Sequence, residues 1–135
     1  MSSGYSIFIR YSGSIEEINE VLFDICYKKA DIEDVDERSG KRYWYQVMGT
    51  EFTLASALDF EDDLDLDLTN YNYVIITKMY SRYWQNPEYL VLCESMAKFL
   101  GYETAKTLKT KTLVVYELQD EISRYDYSHE ETNLA

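Results

Sequence analysis

The sequence predicts a single α+β domain, with two amphipathic helices packed on a mixed or antiparallel sheet of four to six strands. Three observations carry that expectation. Two segments repeat their apolar residues at the three-and-four spacing of a helix face. Several others are short, rich in β-branched and aromatic residues, and bounded by turn residues. At 135 residues the chain suits one domain, and no linker separates two apolar regions. Tyrosine occupies 14 positions and aromatic residues make up 16%, which is core-building material that a disordered chain of similar charge lacks.

Residues 5–11, YSIFIRY, alternate Ile7 and Ile9 with Phe8 and Arg10 and read as a strand that Gly13 ends. Ser14 and Glu17 form a capping box. From there Ile15, Ile18, Leu22 and Ile25 make one stripe of a helix running to about residue 28, with Glu16, Glu20 and Asp24 on its other side. Residues 31–37 and 41–48 flank Ser39-Gly40 as the arms of a hairpin. Another strand is expected at 51–58, and the acidic run at 61–68 reads as a loop or short edge element. Residues 71–80 hold Val74, Ile75 and Ile76 in succession, as a central strand buried on both faces would. Asn86-Pro87-Glu88 opens the second helix with an N-cap, a first-turn proline and an acid at the positive end of the dipole. Its predicted stripe is Leu92, Met96, Phe99 and Leu100, with Gly101 as a candidate for the residue after the C-cap and 102–108 either more helix or loop. Residues 112–118 are the last clear strand. The domain is expected to span 1–122, and 123–135, which loses periodicity, to fray.

Charge is the most informative bulk property. The net charge is −12 and the isoelectric point about 4.4. That excludes direct binding to nucleic acid phosphates or to an anionic membrane, both of which need a basic surface. The distribution is uneven: residues 31–67 hold twelve acids and three bases, a net of −9. Concentrated so, they suit either a solvated face or a surface that faces a basic partner.

Residues that carry covalent or metal chemistry are scarce. The single histidine, His129, lies in the segment expected to fray. Cys26 and Cys93 fall in apolar helical surroundings, which favours inert free thiols. The five glycines are isolated, so no glycine-rich phosphate loop exists. Asp63-x-Asp65-x-Asp67 begins like a calcium loop, but Leu68 and Val74 stand where the turn glycine and the closing glutamate belong. No catalytic residues, metal site or cofactor are expected. An enzyme with a paired-carboxylate site remains a third class, recognisable by turnover or metal dependence. No leader sequence or bilayer-spanning stretch is visible, so a cytoplasmic location is expected.

What remains is aromatic and acidic surface. Tyr43, Trp44 and Tyr45 flank the acid-rich region, and Tyr80, Tyr83 and Trp84 follow the central strand. Strand alternation should turn at least one member of each cluster outward. The segments FEDDLDLDLTNYNYVIITKMY, YLVLCESMAKFLGYETAKTL and KTLVVYELQDEI resemble the small acidic immunity proteins encoded beside bacterial polymorphic toxins, including contact-dependent-inhibition systems. The resemblance covers about residues 50–122. It implies a cytosolic, non-enzymatic protein that neutralises a cognate toxin by binding it, often across the toxin's active site. It supplies a class and transfers no site residues.

The reading that joins these features is an inhibitor of a basic protein partner, a nuclease toxin being the leading case, of undetermined oligomeric state. Glu33, Asp34, Asp36, Glu37, Asp59, Glu61, Asp62, Asp63, Asp65 and Asp67 would steer association, and Trp44 and Trp84 would anchor the complex. The alternative is a nucleic-acid mimic that blocks a restriction or CRISPR effector. It would depend almost wholly on charge and tolerate loss of the aromatics.

Overall fold

The computed structural model describes residues 4–37, 40–57, 68–79, 85–118 and 120–128. Seven strands and two long helices follow in the order β1 (Tyr5–Arg10), α1 (Ile15–Cys26), β2 (Ile32–Asp36), β3 (Gly40–Val47), β4 (Thr50–Ser56), β5 (Tyr73–Met79), α2 (Pro87–Leu108), β6 (Lys111–Tyr116) and β7 (Asp120–Asp126). The strands form one sheet in the order β2-β3-β4-β5-β1-β6-β7, and every described pairing is antiparallel. The α+β class therefore holds, with one strand more than the predicted upper number. The extra strand is β7, in a segment expected to fray from residue 123. Its residues DEISRYD have no apolar period, and β6 holds them as far as Asp126 through a ladder with a bulge at Val114/Val115.

Both helices lie on one face of the sheet. There Ile7 and Ile9 of β1, Tyr43 and Tyr45 of β3, Phe52 and Leu54 of β4, Ile75 of β5 and Val114 of β6 meet Ile18 and Leu22 of α1 and Tyr89, Cys93, Ala97 and Leu100 of α2. The α1 N-terminus carries the anticipated capping box between Ser14 and Glu17. β5 is the central strand, with Val74 and Ile75 fully buried on opposite faces. The expected burial on both faces stops at Ile76, which is 41% exposed because it lies opposite Thr53 on the open side.

Helix α2 takes the longer of the two extents the sequence leaves open, and it corrects the reading of Gly101 and of the buried stripe. It continues through residues 102–108 and ends at Lys109 in the left-handed region. Gly101 is thus mid-helix, where it permits close approach to the sheet: a Cβ there would lie 2.8 Å from a Val114 methyl. The buried face is made of small residues, Cys93, Ala97, Gly101, Thr104 and Ala105, besides Tyr89 and Leu100, while Phe99 of the predicted stripe is 50% exposed. Bulk at those positions would hold the helix off the strands.

The other face is covered only in part. Leu68 and Tyr71 pack with Phe8, Val74, Leu113 and Val115 over β5, β1 and β6. Over β2, β3 and β4 the sheet is more open, and that is where the candidate site lies. Among the described residues no helix is long and apolar enough to cross a membrane.

Candidate protein-interaction site

The β2–β3–β4 meander builds the site by alternation. In β3, Tyr43 and Tyr45 point into the helical core, where the Tyr45 hydroxyl donates to Asn19 Oδ1 at 2.5 Å and its ring stacks on Phe52 at 5.2 Å. Burial raises the pKa of both tyrosines above the ordinary phenol value. Arg42 and Trp44, of opposite parity, therefore face the open side. The Met48-Gly49 turn, with φ of 52° and 73°, fits the type I′ geometry that joins β3 to β4 in this register.

Register then assembles a row across four strands. Ile32 lies opposite Trp44, Trp44 opposite Thr53, and Thr53 opposite Ile76. Ile32 is 51% exposed and Ile76 is 41% exposed, and Trp44 is partly buried between its neighbours. Charged and polar rows flank this line. On one side Arg42 grips Asp34 with two bonds, Nε to Oδ1 at 3.0 Å and Nη2 to Oδ2 at 3.1 Å. On the other, Gln46 faces Glu51, which faces Lys78. Ile32, Asp34, Arg42, Trp44 and Thr53 line an open depression of about 290 Å³. An apolar centre with a polar rim is the anatomy of a protein interface.

The start of the edge strand β2 is fixed. Asp31 accepts from Lys28 Nζ at 2.7 Å and from the Gln46 N–H at 2.8 Å. These contacts, the lysine first, hold its carboxyl below the usual carboxylate range. Across the meander, Lys41 pairs with Glu16 of α1 at 3.1 Å, tying the hairpin to the helical layer.

The sequence-predicted acids divide accordingly. Asp34 and Asp36 share the open face with Trp44, and the negative charge of Asp36 helps raise the Arg42 pKa after that of Asp34. Glu33 pairs opposite Tyr43 and stands on the helix side, while Glu37 follows the end of β2. Asp59, Glu61, Asp62, Asp63, Asp65, Asp67 and Trp84 lie outside the described residues, as do Tyr80, Tyr83 and His129. Sequence reasoning missed Ile32, Thr53 and Ile76. Only the register could have revealed them, because each looks like an ordinary strand residue until its neighbours across the sheet are known.

Cys26 and Cys93 are free, and burial raises the pKa of both thiols, as suits unreactive packing groups. No family model matches the chain, nor does any curated protein or solved structure.

Proposed function

We propose that this chain is a non-enzymatic inhibitor of the immunity type, which binds and neutralises a basic protein partner, a nuclease toxin, through the open face of the β2–β3–β4 meander. The row Ile32–Trp44–Thr53–Ile76 carries the proposal. Its aromatic and β-branched members would anchor a partner by desolvation, and Asp34, Asp36 and the remaining acids would attract it. A nuclease must present positive charge to hold phosphate, so an acidic cover is drawn to its active site and also blocks it. The same row favours a protein binder over a pure charge mimic of nucleic acid, which has no use for an apolar centre.

The test is to read the neighbouring reading frame for a secreted protein with a toxic C-terminal domain and to co-express that domain with this chain. Rescue of growth is expected, with a complex whose association slows as salt rises and whose dissociation quickens in Trp44→Ala. Absence of rescue, or turnover of a substrate by the chain alone, overturns the proposal. A complex that depends on the carboxylates and ignores Trp44 favours the charge mimic.

A further inference from the structure

The open face is too small to be the whole contact. Four strands at about 4.8 Å spacing and three rows about 6.8 Å apart give a footprint on the order of 400 Å². A standard interface takes about 800 Å² from each partner. The surface continuous with that face is the outer edge of β2, which among the described residues pairs only with β3 and is the terminal strand of the sheet, an edge of the kind that can accept another strand.

Two features separate this edge from one that is merely protected. It exposes two β-branched apolar side chains, one on each face of the strand: Ile32 on the Trp44 side and Val35, 72% exposed, on the helix side. The charged residues of the strand itself are all acidic, Glu33, Asp34 and Asp36, with Asp31 and Glu37 at its ends. Arg42 and Lys28 already pair with Asp34 and Asp31, so the attraction for a basic strand falls mainly to Glu33 and Asp36. A second copy of the edge would set carboxylate against carboxylate, which disfavours self-pairing. A basic strand meets the opposite condition. The edge's existing neighbour shows what it accepts, since β3 places Arg42 opposite Asp34 and Trp44 opposite Ile32. The Asp31 clamp holds the start of β2 in place, which lowers the ordering cost of docking.

Resting on the inhibitor reading above, we propose that β2 receives an extended basic segment of the partner protein as an additional antiparallel strand. Antiparallel pairing continues the ladder of the rest of the sheet. Read from its N-terminus, the incoming strand meets Asp36, Val35, Asp34, Glu33 and Ile32 in turn. The complementary order is therefore basic, apolar, basic, basic, apolar. Its backbone supplies affinity, and its side chains extend the row past Ile32 on one face and cover Val35 on the other.

The test uses the full chain, isotope-labelled, and a cyclised hairpin peptide whose outer strand reads Lys-Val-Lys-Lys-Val. Binding should protect β2 amides from hydrogen exchange and give cross-strand contacts between β2 and the peptide. N-methylation of the peptide's outward amides should weaken binding at least about tenfold, since it removes interstrand hydrogen bonds. A peptide with glutamate in place of lysine should not bind. Glu33→Lys, a change at an exposed position, should also weaken binding while leaving the melting temperature unchanged. Binding that ignores N-methylation, binding that perturbs Trp44 and Ile76 without protecting β2, or no binding at all overturns strand addition. If the Trp44-dependent complex with the toxic domain survives such a result, only this inference falls. Loss of that complex overturns the reading beneath it.

Discussion

Trp44 and Tyr45 are adjacent aromatic residues with different work to do. Tyr45 is fully buried and hydrogen-bonded to Asn19, whereas Trp44 lies in an open row. Tyr45→Ala should therefore cost about 3–5 kcal/mol of stability, the range for losing a buried aromatic. Trp44→Ala should cost much less in stability and appear instead as a faster off-rate from the partner, by about 2 kcal/mol or more if it is a hot spot. Urea unfolding and binding kinetics on the same two variants separate these outcomes. Carboxylates at this scale set the acid response. Lys28 and the Gln46 amide hold Asp31 below its ordinary pKa, Lys41 does so for Glu16, and Tyr11 followed by Ser14 does so for Glu17. A depressed folded-state pKa stabilises above the unfolded value, near 4, and that contribution is lost as pH falls through the depressed range. Stability should hold or rise from pH 7 to about 5, as repulsion among the acids eases, and then fall below about pH 4. Asp31→Asn should flatten part of that fall in urea titrations across pH.

Helix α2 shows how much of an element is legible from sequence. Its start is written in Asn86-Pro87-Glu88, and the Asn86 side chain does accept from the Glu88 and Tyr89 N–H groups. Its buried face was not legible, because the large apolar residues that suggest a stripe are outcompeted by small ones where helix and sheet must come close. Gly101, which resembles a terminator, is such a contact. Gly101→Ala should destabilise by about 1 kcal/mol despite the better helix propensity of alanine, since overpacking costs about 1–3 kcal/mol and propensity returns about 1. Thr104 offers the reverse test. Its hydroxyl is fully buried and has no hydrogen-bond partner among the described residues. Thr104→Val, which keeps the shape and removes that group, should stabilise by about 1 kcal/mol, read from the urea midpoint. The hairpin of β2 and β3 was legible from its β-formers, although Gly40, read as a turn residue, is the first residue of β3, and alternation separates Trp44 from Tyr43 and Tyr45. The row that surrounds Trp44 was not, because it depends on residues from four strands.

Across the whole molecule the net charge is −12, and residues 31–67 carry −9 of it, chiefly in the acids of β2 and the run at 59–67. Replacing Glu33 and Asp36 by their amides, or separately Asp62, Asp63, Asp65 and Asp67, should slow association and reduce its salt dependence, with stability unchanged or raised. The set with the larger salt-slope change marks the surface that meets the partner first. Unchanged slopes in both sets would make the acids a solvated coat. Strand order has a further consequence, for the chain as it leaves the ribosome. β1 is made first but sits between β5 and β6. Its Ile7, Phe8 and Ile9, all fully buried once folded, gain no neighbouring strand until synthesis has advanced roughly 60 residues to β5, about 3–12 s at ordinary translation rates. The β2–β3–β4 meander is complete before then. Three members of the Trp44 row, Ile32, Trp44 and Thr53, are therefore synthesised before the most apolar strand has a neighbour, and the fourth, Ile76, arrives on the strand that provides one.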